Sequence, residues 1–170
     1  HRTGRSRRTG EAPQARRDGI PDNWIEAAKK SPVLRLIKDY KATDPNGFLL
    51  YFSDHGEEVY DTPPHKTQGR NEQAPTRHMY TIPFLLWTSE KWHEAHPRDF
   101  SQDVNRKYSS SELIHTWSDL AGLSYDDFDA TRALTNPQFV ESTRWIGNPY
   151  KKNALIDYDS LPYGDQIGNQ

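Results

Sequence analysis

The sequence lacks cysteine, so no disulfide bond can form within its 170 residues. The absence of cysteine therefore does not indicate whether the protein works in an oxidising or a reducing compartment. Long apolar runs are also missing, because no stretch approaches the roughly 20 apolar residues that a membrane-spanning helix needs. Hydrophobic residues make up only 33% of the chain, and the mean hydropathy is -1.02. The chain also contains twelve prolines and ten glycines. This composition predicts one polar domain with long loops.

The chain begins at His1, without an initiator methionine or a signal peptide, and we therefore expect a piece of a longer protein. Residues 1–20 carry six arginines against two acids. Such a basic arm can bind nucleic acid, but no aromatic residue precedes Trp24 to stack on bases. We predict that residues 1–35 are a disordered or non-native segment, that residues 36–170 form the domain, and that no nucleic acid is bound.

Five apolar or aromatic residues, Phe48–Phe52, are followed closely by Asp54, His55 and Gly56. A short continuous apolar run is typical of a strand that is buried on both faces, as in a parallel sheet covered by helices. In open α/β sheets, the chemistry collects beyond the carboxyl ends of such strands. Asp54 and His55 lie at that end, and Gly56 lets the backbone leave the strand tightly.

Aspartate and histidine are residue types that commonly bind zinc, so Asp54 could bind it through oxygen and His55 through nitrogen. Neighbouring side chains in a regular strand point to opposite faces, but at a strand end both can reach one ion. Alternatively, Asp54 caps the following turn and His55 is a hydrogen-bonded core residue. The apolar run before the pair and the acids Glu57 and Glu58 after it favour the metal. These two acids either orient His55 or are ordinary solvated carboxylates.

Three further elements are predicted from the spacing of apolar residues. A helical pattern covers residues 33–40, and a second apolar run predicts a strand over residues 82–87. Residues 89–96 form a short helix in this prediction, with His93 and His96 facing solvent.

The clearest helix signal spans residues 109–121. Ser109 and Glu112 match a capping box, and Gly122 stands where a left-handed C-cap belongs. His115 lies off the apolar stripe and is predicted to be on the surface. The stripe itself, which should pack on the sheet, consists of Leu113, Ile114, Trp117, Leu120 and Ala121. After residue 124 the chain is predicted to be rich in loops.

Five segments together resemble one enzyme family: Ser53–Glu57, Gly56–Asp61, Arg77–Tyr80, Ile82–Trp87 and Trp145–Tyr150. Over residues 36–170 the chain resembles the carboxyl-terminal part of the catalytic domain of phosphoethanolamine transferases of the CptA type. These enzymes belong to the alkaline-phosphatase and sulfatase superfamily. The resemblance implies an α/β, alkaline-phosphatase-like fold with a mainly parallel sheet flanked by helices, present here as an incomplete carboxyl-terminal fragment.

The resemblance also implies a zinc enzyme of the Gram-negative inner membrane, anchored by an amino-terminal part missing here, with its catalytic domain in the periplasm. Such enzymes move phosphoethanolamine from phosphatidylethanolamine to a phosphate on the lipopolysaccharide core, through a threonine nucleophile. Asp54 and His55 match the zinc-ligating pair of the family. A histidine in the polar loop over residues 61–77 contacts the phosphoryl group or a second zinc, and it matches His65 best, with His78 as the alternative.

The nucleophilic threonine and a further acidic ligand of the family have no counterpart in this sequence. We therefore predict that these 170 residues alone do not transfer phosphoethanolamine. Two other functions stay open. One is a sulfatase-like or phosphatase-like metal-dependent hydrolase on the same scaffold, and the other is a noncatalytic remnant that binds a metal or an anionic glycan.

Overall fold

The computed structural model describes residues 31–43, 46–151 and 154–161. Within these ranges the α-helices are α1 (Pro32–Thr43), α2 (Glu90–Ala95) and α3 (Leu113–Ala121). The strands are β1 (Phe48–Phe52), β2 (Glu58–Val59), β3 (Gln68–Gly69), β4 (Phe84–Thr88), β5 (Trp145–Gly147) and β6 (Leu155–Asp157). This mixture of helices and strands agrees with the α/β class that the sequence predicts. None of these helices is long and apolar enough to cross a membrane.

The chain divides into two units, residues 1–45 and residues 46–170. Helix α1 belongs to the first unit, and it confirms the helix predicted over residues 33–40. Its start is stabilised by the Ser31 hydroxyl, which accepts a hydrogen bond of 3.2 Å from the backbone N–H of Val33. The disorder predicted for residues 1–35 falls mostly on residues 1–30, which lie outside the described residues.

Strand β1 pairs with β4 in antiparallel register, so that Leu50 lies opposite Leu86. The β2–β3 and β5–β6 pairs in the described residues are antiparallel as well. The parallel, doubly buried strand predicted at 48–52 was therefore wrong: Tyr51 and Phe52 are exposed. A short apolar run does not encode the direction of its partner, and an antiparallel sheet needs only one covered face. The strand predicted over 82–87 is confirmed as β4.

Helix α2 confirms the short helix predicted after Ser89. The Ser89 hydroxyl accepts hydrogen bonds from the backbone N–H of Trp92 (3.1 Å) and of Gly47 (3.0 Å). One side chain thus caps the helix and ties it to the start of β1. His93 and His96 are exposed, as predicted.

Helix α3 begins with a 3₁₀ turn over Ser110–Glu112 and ends at Gly122, whose φ of 67° confirms the predicted left-handed C-cap. The predicted capping box between Ser109 and Glu112 was wrong. The Ser109 hydroxyl accepts from the N–H of Ser111, and Glu112 is in an ion pair with Arg132 instead of turning back to the cap.

Of the predicted apolar stripe of α3, Leu120 is buried as predicted, but the other buried residues of the helix are polar. Ile114 and Trp117 are exposed, and His115, predicted on the surface, is only 5% exposed. The Nδ1 atom of His115 accepts a hydrogen bond of 3.1 Å from the backbone N–H of Asp129. Thr116, also buried, accepts from the backbone N–H of Leu134. Because the loop after α3 supplies these partners, a polar face can be buried at little cost.

Candidate metal-binding site

The loop after β1 fixes Asp54 and His55 through short local hydrogen bonds. The hydroxyl of Ser53 donates to the carbonyl of His55 (2.8 Å), and Oδ1 of Asp54 accepts from the N–H of His55 (3.1 Å). Nδ1 of His55 lies 3.0 Å from the carbonyl oxygen of Gly56. Since a carbonyl oxygen only accepts, Nδ1 is the donor here, and Nε2 of the neutral ring keeps its lone pair for a metal.

The remaining donor atoms of the pair face one another. Nε2 of His55 and Oδ2 of Asp54 are 3.8 Å apart, and the side chains are 37% and 86% exposed, respectively. Two ligands of a tetrahedral zinc, each at about 2.0–2.1 Å, lie about 3.3 Å apart. A shift of about half an ångström therefore brings both atoms onto one ion, and the oxygen and nitrogen donors suit zinc.

Gly56 locks this loop onto the 3₁₀ helix at Arg77–Met79. Its N–H donates to the carbonyl of Met79 at 3.2 Å. A Cβ atom on Gly56 would lie 2.2 Å from the carbonyl oxygen of His78 and 2.5 Å from that of Thr81. Only glycine fits this approach of two backbone segments, so the residue after the metal pair has a fixed position.

Glu58 is fully buried and organises the polar loop that follows. Its carboxylate accepts hydrogen bonds from the backbone N–H of Thr62 (2.6 Å), from the Thr62 hydroxyl (2.8 Å) and from the Thr76 hydroxyl. Burial raises the pKa of Glu58, but the bonds from Thr76 and Thr62 outweigh burial and lower the pKa overall. Glu58 therefore neither orients His55 nor is an ordinary solvated acid, the two roles considered from the sequence.

Arg77 joins this region to the end of the described chain. Its guanidinium donates to the carbonyls of Leu161 and Asp159, each at 2.7 Å, and Arg77 is buried. The ring of Tyr158 lies between the guanidinium groups of Arg77 (4.9 Å) and Arg144 (4.4 Å). These contacts hold the 3₁₀ helix that supports Gly56.

Asp54 and His55 line a cavity of about 920 Å³. Apolar residues of β4 form part of its wall, and the arginines of the cavity are Arg70, Arg106 and Arg144. A cavity of this size that brings cations and hydroxyl groups to an aspartate–histidine pair can hold a phosphorylated ligand.

His65 and His78 are not among the residues that line this cavity. His65 is exposed, with a φ of 57°, and its Nδ1 lies 2.7 Å from the carbonyl oxygen of Tyr60. His78 is half-buried beside Gly56. Within the described ranges, no group of three or more histidine, cysteine and acidic side chains is arranged to hold a metal. The metal-binding roles of Asp54 and His55 and the role of His65 therefore all stay predictions.

The sulfatase family model matches residues 32–123. This chain belongs to the sulfatase family. It is 88% identical over 130 residues to phosphoethanolamine transferase CptA of Salmonella typhimurium, covering 76% of this chain and 22% of that protein. It is 84% identical over 138 residues to phosphoethanolamine transferase EptC of Escherichia coli, covering 81% of this chain and 24% of that protein. The chain thus spans about a quarter of the length of these relatives.

Among solved structures, the C-terminal periplasmic domain of EptC from Escherichia coli is similar to this sulfatase-family chain. The two share 83% sequence identity with a TM-score of 0.76, over 81% of this chain and 39% of that domain. A second structure of the same domain, with the same similarity, is a complex with Zn. The predicted resemblance to phosphoethanolamine transferases and the alkaline-phosphatase-like α/β class are confirmed, with the strand directions corrected as above.

Proposed function

We propose that the whole protein transfers phosphoethanolamine from phosphatidylethanolamine to a phosphate on the lipopolysaccharide core, with zinc held in part by Asp54 and His55. The observation that carries this proposal is the 3.8 Å separation of Nε2 and Oδ2 on a cavity, in a chain 84% identical to a named phosphoethanolamine transferase. The zinc complex of the solved relative supports the choice of metal.

Each residue of the site has a separate role in this proposal. When bound, zinc lowers the pKa of a hydroxyl nucleophile and neutralises charge on the transferred phosphoryl group. The Gly56 carbonyl holds the His55 ring so that Nε2 faces Asp54. The nucleophile and the remaining ligands come from parts of the parent protein outside these 170 residues, and the chain by itself is inactive.

His65 is proposed as a contact of the phosphoryl group, with His78 as the second choice. The left-handed backbone of His65 is costly for a residue with a side chain, and such strain collects at functional sites. Its Nδ1 donates to the Tyr60 carbonyl, so Nε2 is the ring nitrogen left to accept or bind a ligand. The solved relative supports a periplasmic location for this part of the protein. An anchor in the inner membrane is part of the same proposal for the whole protein.

The test replaces the 138 matching residues of full-length Escherichia coli EptC by those of this chain. We expect the graft to modify lipopolysaccharide, and Asp54→Asn and His55→Ala to lose nearly all transfer together with bound zinc. His93→Ala, an exposed histidine outside the cavity, is the matched control. Transfer that survives both site substitutions overturns the proposal. Release of free phosphoethanolamine without modified acceptor favours instead the hydrolase that the sulfatase match keeps open.

A further inference from the structure

Arg70 lines the same cavity as Asp54 and His55, and two backbone anchors fix its place there. On one side, Gly69 pairs with the buried Glu58 in the β2–β3 ladder. On the other side, the N–H of Asn71 donates to the sulfur of Met79 at 3.3 Å.

The second anchor leads back to Asp54 and His55. The carbonyl of Met79 accepts from the N–H of Gly56, and the Gly56 carbonyl in turn contacts the His55 ring. The Arg70 guanidinium lies over the ring of Tyr80, the residue after Met79, at 5.9 Å. Arg70 is thus held beside the segment that positions His55, and it lines the same cavity.

The three arginines of the cavity differ in their partners. Arg106 forms an ion pair with Asp103 at 3.0 Å and also donates to the carbonyl of Asn136 at 3.0 Å. Arg144 forms an ion pair with Asp159. Among the described residues, no carboxylate lies within 4 Å of Arg70, which is exposed. Of the three guanidinium groups, that of Arg70 is the one that no acid of the described chain neutralises.

We propose that Arg70 binds a phosphate oxygen of the substrate beside the Asp54–His55 pair. The inference rests on the proposed function and names a binding residue that the zinc site does not require. A planar guanidinium binds phosphate through two parallel hydrogen bonds. It also offsets the repulsion between an anionic substrate and the Asp54 carboxylate. Two phosphates could occupy this position, namely the phosphodiester of the donor lipid and the phosphate of the acceptor glycolipid.

The experiment measures kcat and KM in the grafted full-length protein for Arg70→Ala, Arg70→Lys and Lys66→Ala. Loss of one exposed charge-assisted contact should raise KM about tenfold with kcat nearly unchanged, since the contact is made in both ground and transition state. Arg70→Lys should recover part of this loss, because lysine keeps the positive charge but lacks the two parallel N–H donors of the guanidinium. Lys66→Ala removes an exposed cation of the same loop outside the cavity and should change nothing.

Varying donor and acceptor separately distinguishes the two sources, because only the substrate that Arg70 contacts should change its KM. The increase should also shrink at high salt, where the wild-type attraction is screened. Unchanged KM values for both substrates in Arg70→Ala overturn the inference, as does an equal change in Lys66→Ala. His55→Ala is run in parallel. If His55→Ala abolishes transfer while Arg70→Ala leaves both KM values unchanged, this inference fails and the proposed function stands.

Discussion

Gly56→Ala offers the sharpest test of how the backbone positions the metal pair. The added Cβ would lie 2.2 Å from the His78 carbonyl oxygen and 2.5 Å from that of Thr81, whereas an ordinary contact begins at 3.4 Å. The two segments must therefore separate by about 1 Å, which costs about 1–3 kcal/mol as overpacking. Loss of the bond from Gly56 to Met79 adds about 1 kcal/mol. We expect a total near 3 kcal/mol, or a Tm lower by roughly 6–12 °C.

The same movement should weaken zinc binding, because the Gly56 carbonyl holds the His55 ring. Loss of such an orienting contact typically costs about 10–100-fold in metal affinity. Urea unfolding and competition with a chromophoric chelator measure both effects in the grafted protein. Gly122→Ala is the control: its φ of 67° is strained for alanine, at about 1 kcal/mol, but no atom meets the new Cβ. Stability and zinc affinity of Gly56→Ala that match those of Gly122→Ala would refute the reasoning.

Three further substitutions test other parts of the structure. Glu58→Gln replaces a carboxylate oxygen by an NH2 group, which cannot accept the hydrogen bonds from Thr62 and Thr76. The substitution should lower the free energy of unfolding by about 1–3 kcal/mol at neutral pH. Because the folded pKa of Glu58 is lowered, its contribution is complete above the usual value of 4.5 and disappears as pH falls through the folded pKa, so urea titrations of the two proteins should converge in acid. Arg77→Met leaves the carbonyls of Asp159 and Leu161 without the hydrogen bonds that Arg77 donates. Limited trypsin digestion should therefore release the segment after Arg144 faster than in wild type. Equal rates of release would show that these hydrogen bonds do not hold the segment. Burial raises the pKa of Tyr108 to about 12, so Tyr108→Phe should remove a tyrosine that ionises near pH 12 in an ultraviolet titration. The variant should also lose less stability than wild type as pH rises from 10 through 12.

Local sequence patterns predict those parts of the fold that local contacts determine. The short helix after Ser89, the left-handed Gly122 and the strand predicted at 82–87 follow from patterns of residues within a few positions of one another. The direction of β1 depends on a partner more than thirty residues away, and no periodicity within Phe48–Phe52 specifies it. The predicted buried side of α3 was wrong for the same reason, since the hydrogen-bond partner of the buried His115 is Asp129, 14 residues away.

The candidate site shows the same division. Asp54 and His55 are neighbours at a strand end, so their closeness could be predicted from the sequence alone, and their binding of one ion stays a prediction. Glu58 could not be separated from Glu57, because its partner Thr76 is 18 residues away. Arg70 carried no sequence signal either, since an arginine in a polar loop becomes informative only when its neighbours and the cavity are known.

Asp54 and His55 are therefore neighbours in sequence, but the contacts that hold them in place reach distant parts of the chain. His55 is held by Gly56, Gly56 by the 3₁₀ helix at Arg77–Met79, and that helix by hydrogen bonds from Arg77 across 84 and 82 residues to the end of the described chain. Each step joins backbone to a side chain or to another backbone, so we expect a displacement at Leu161 to shift His55. A catalytic metal site loses activity when its ligands move by about 1 Å. We therefore expect substitutions near Leu161 to affect the Asp54–His55 pair through this chain of contacts.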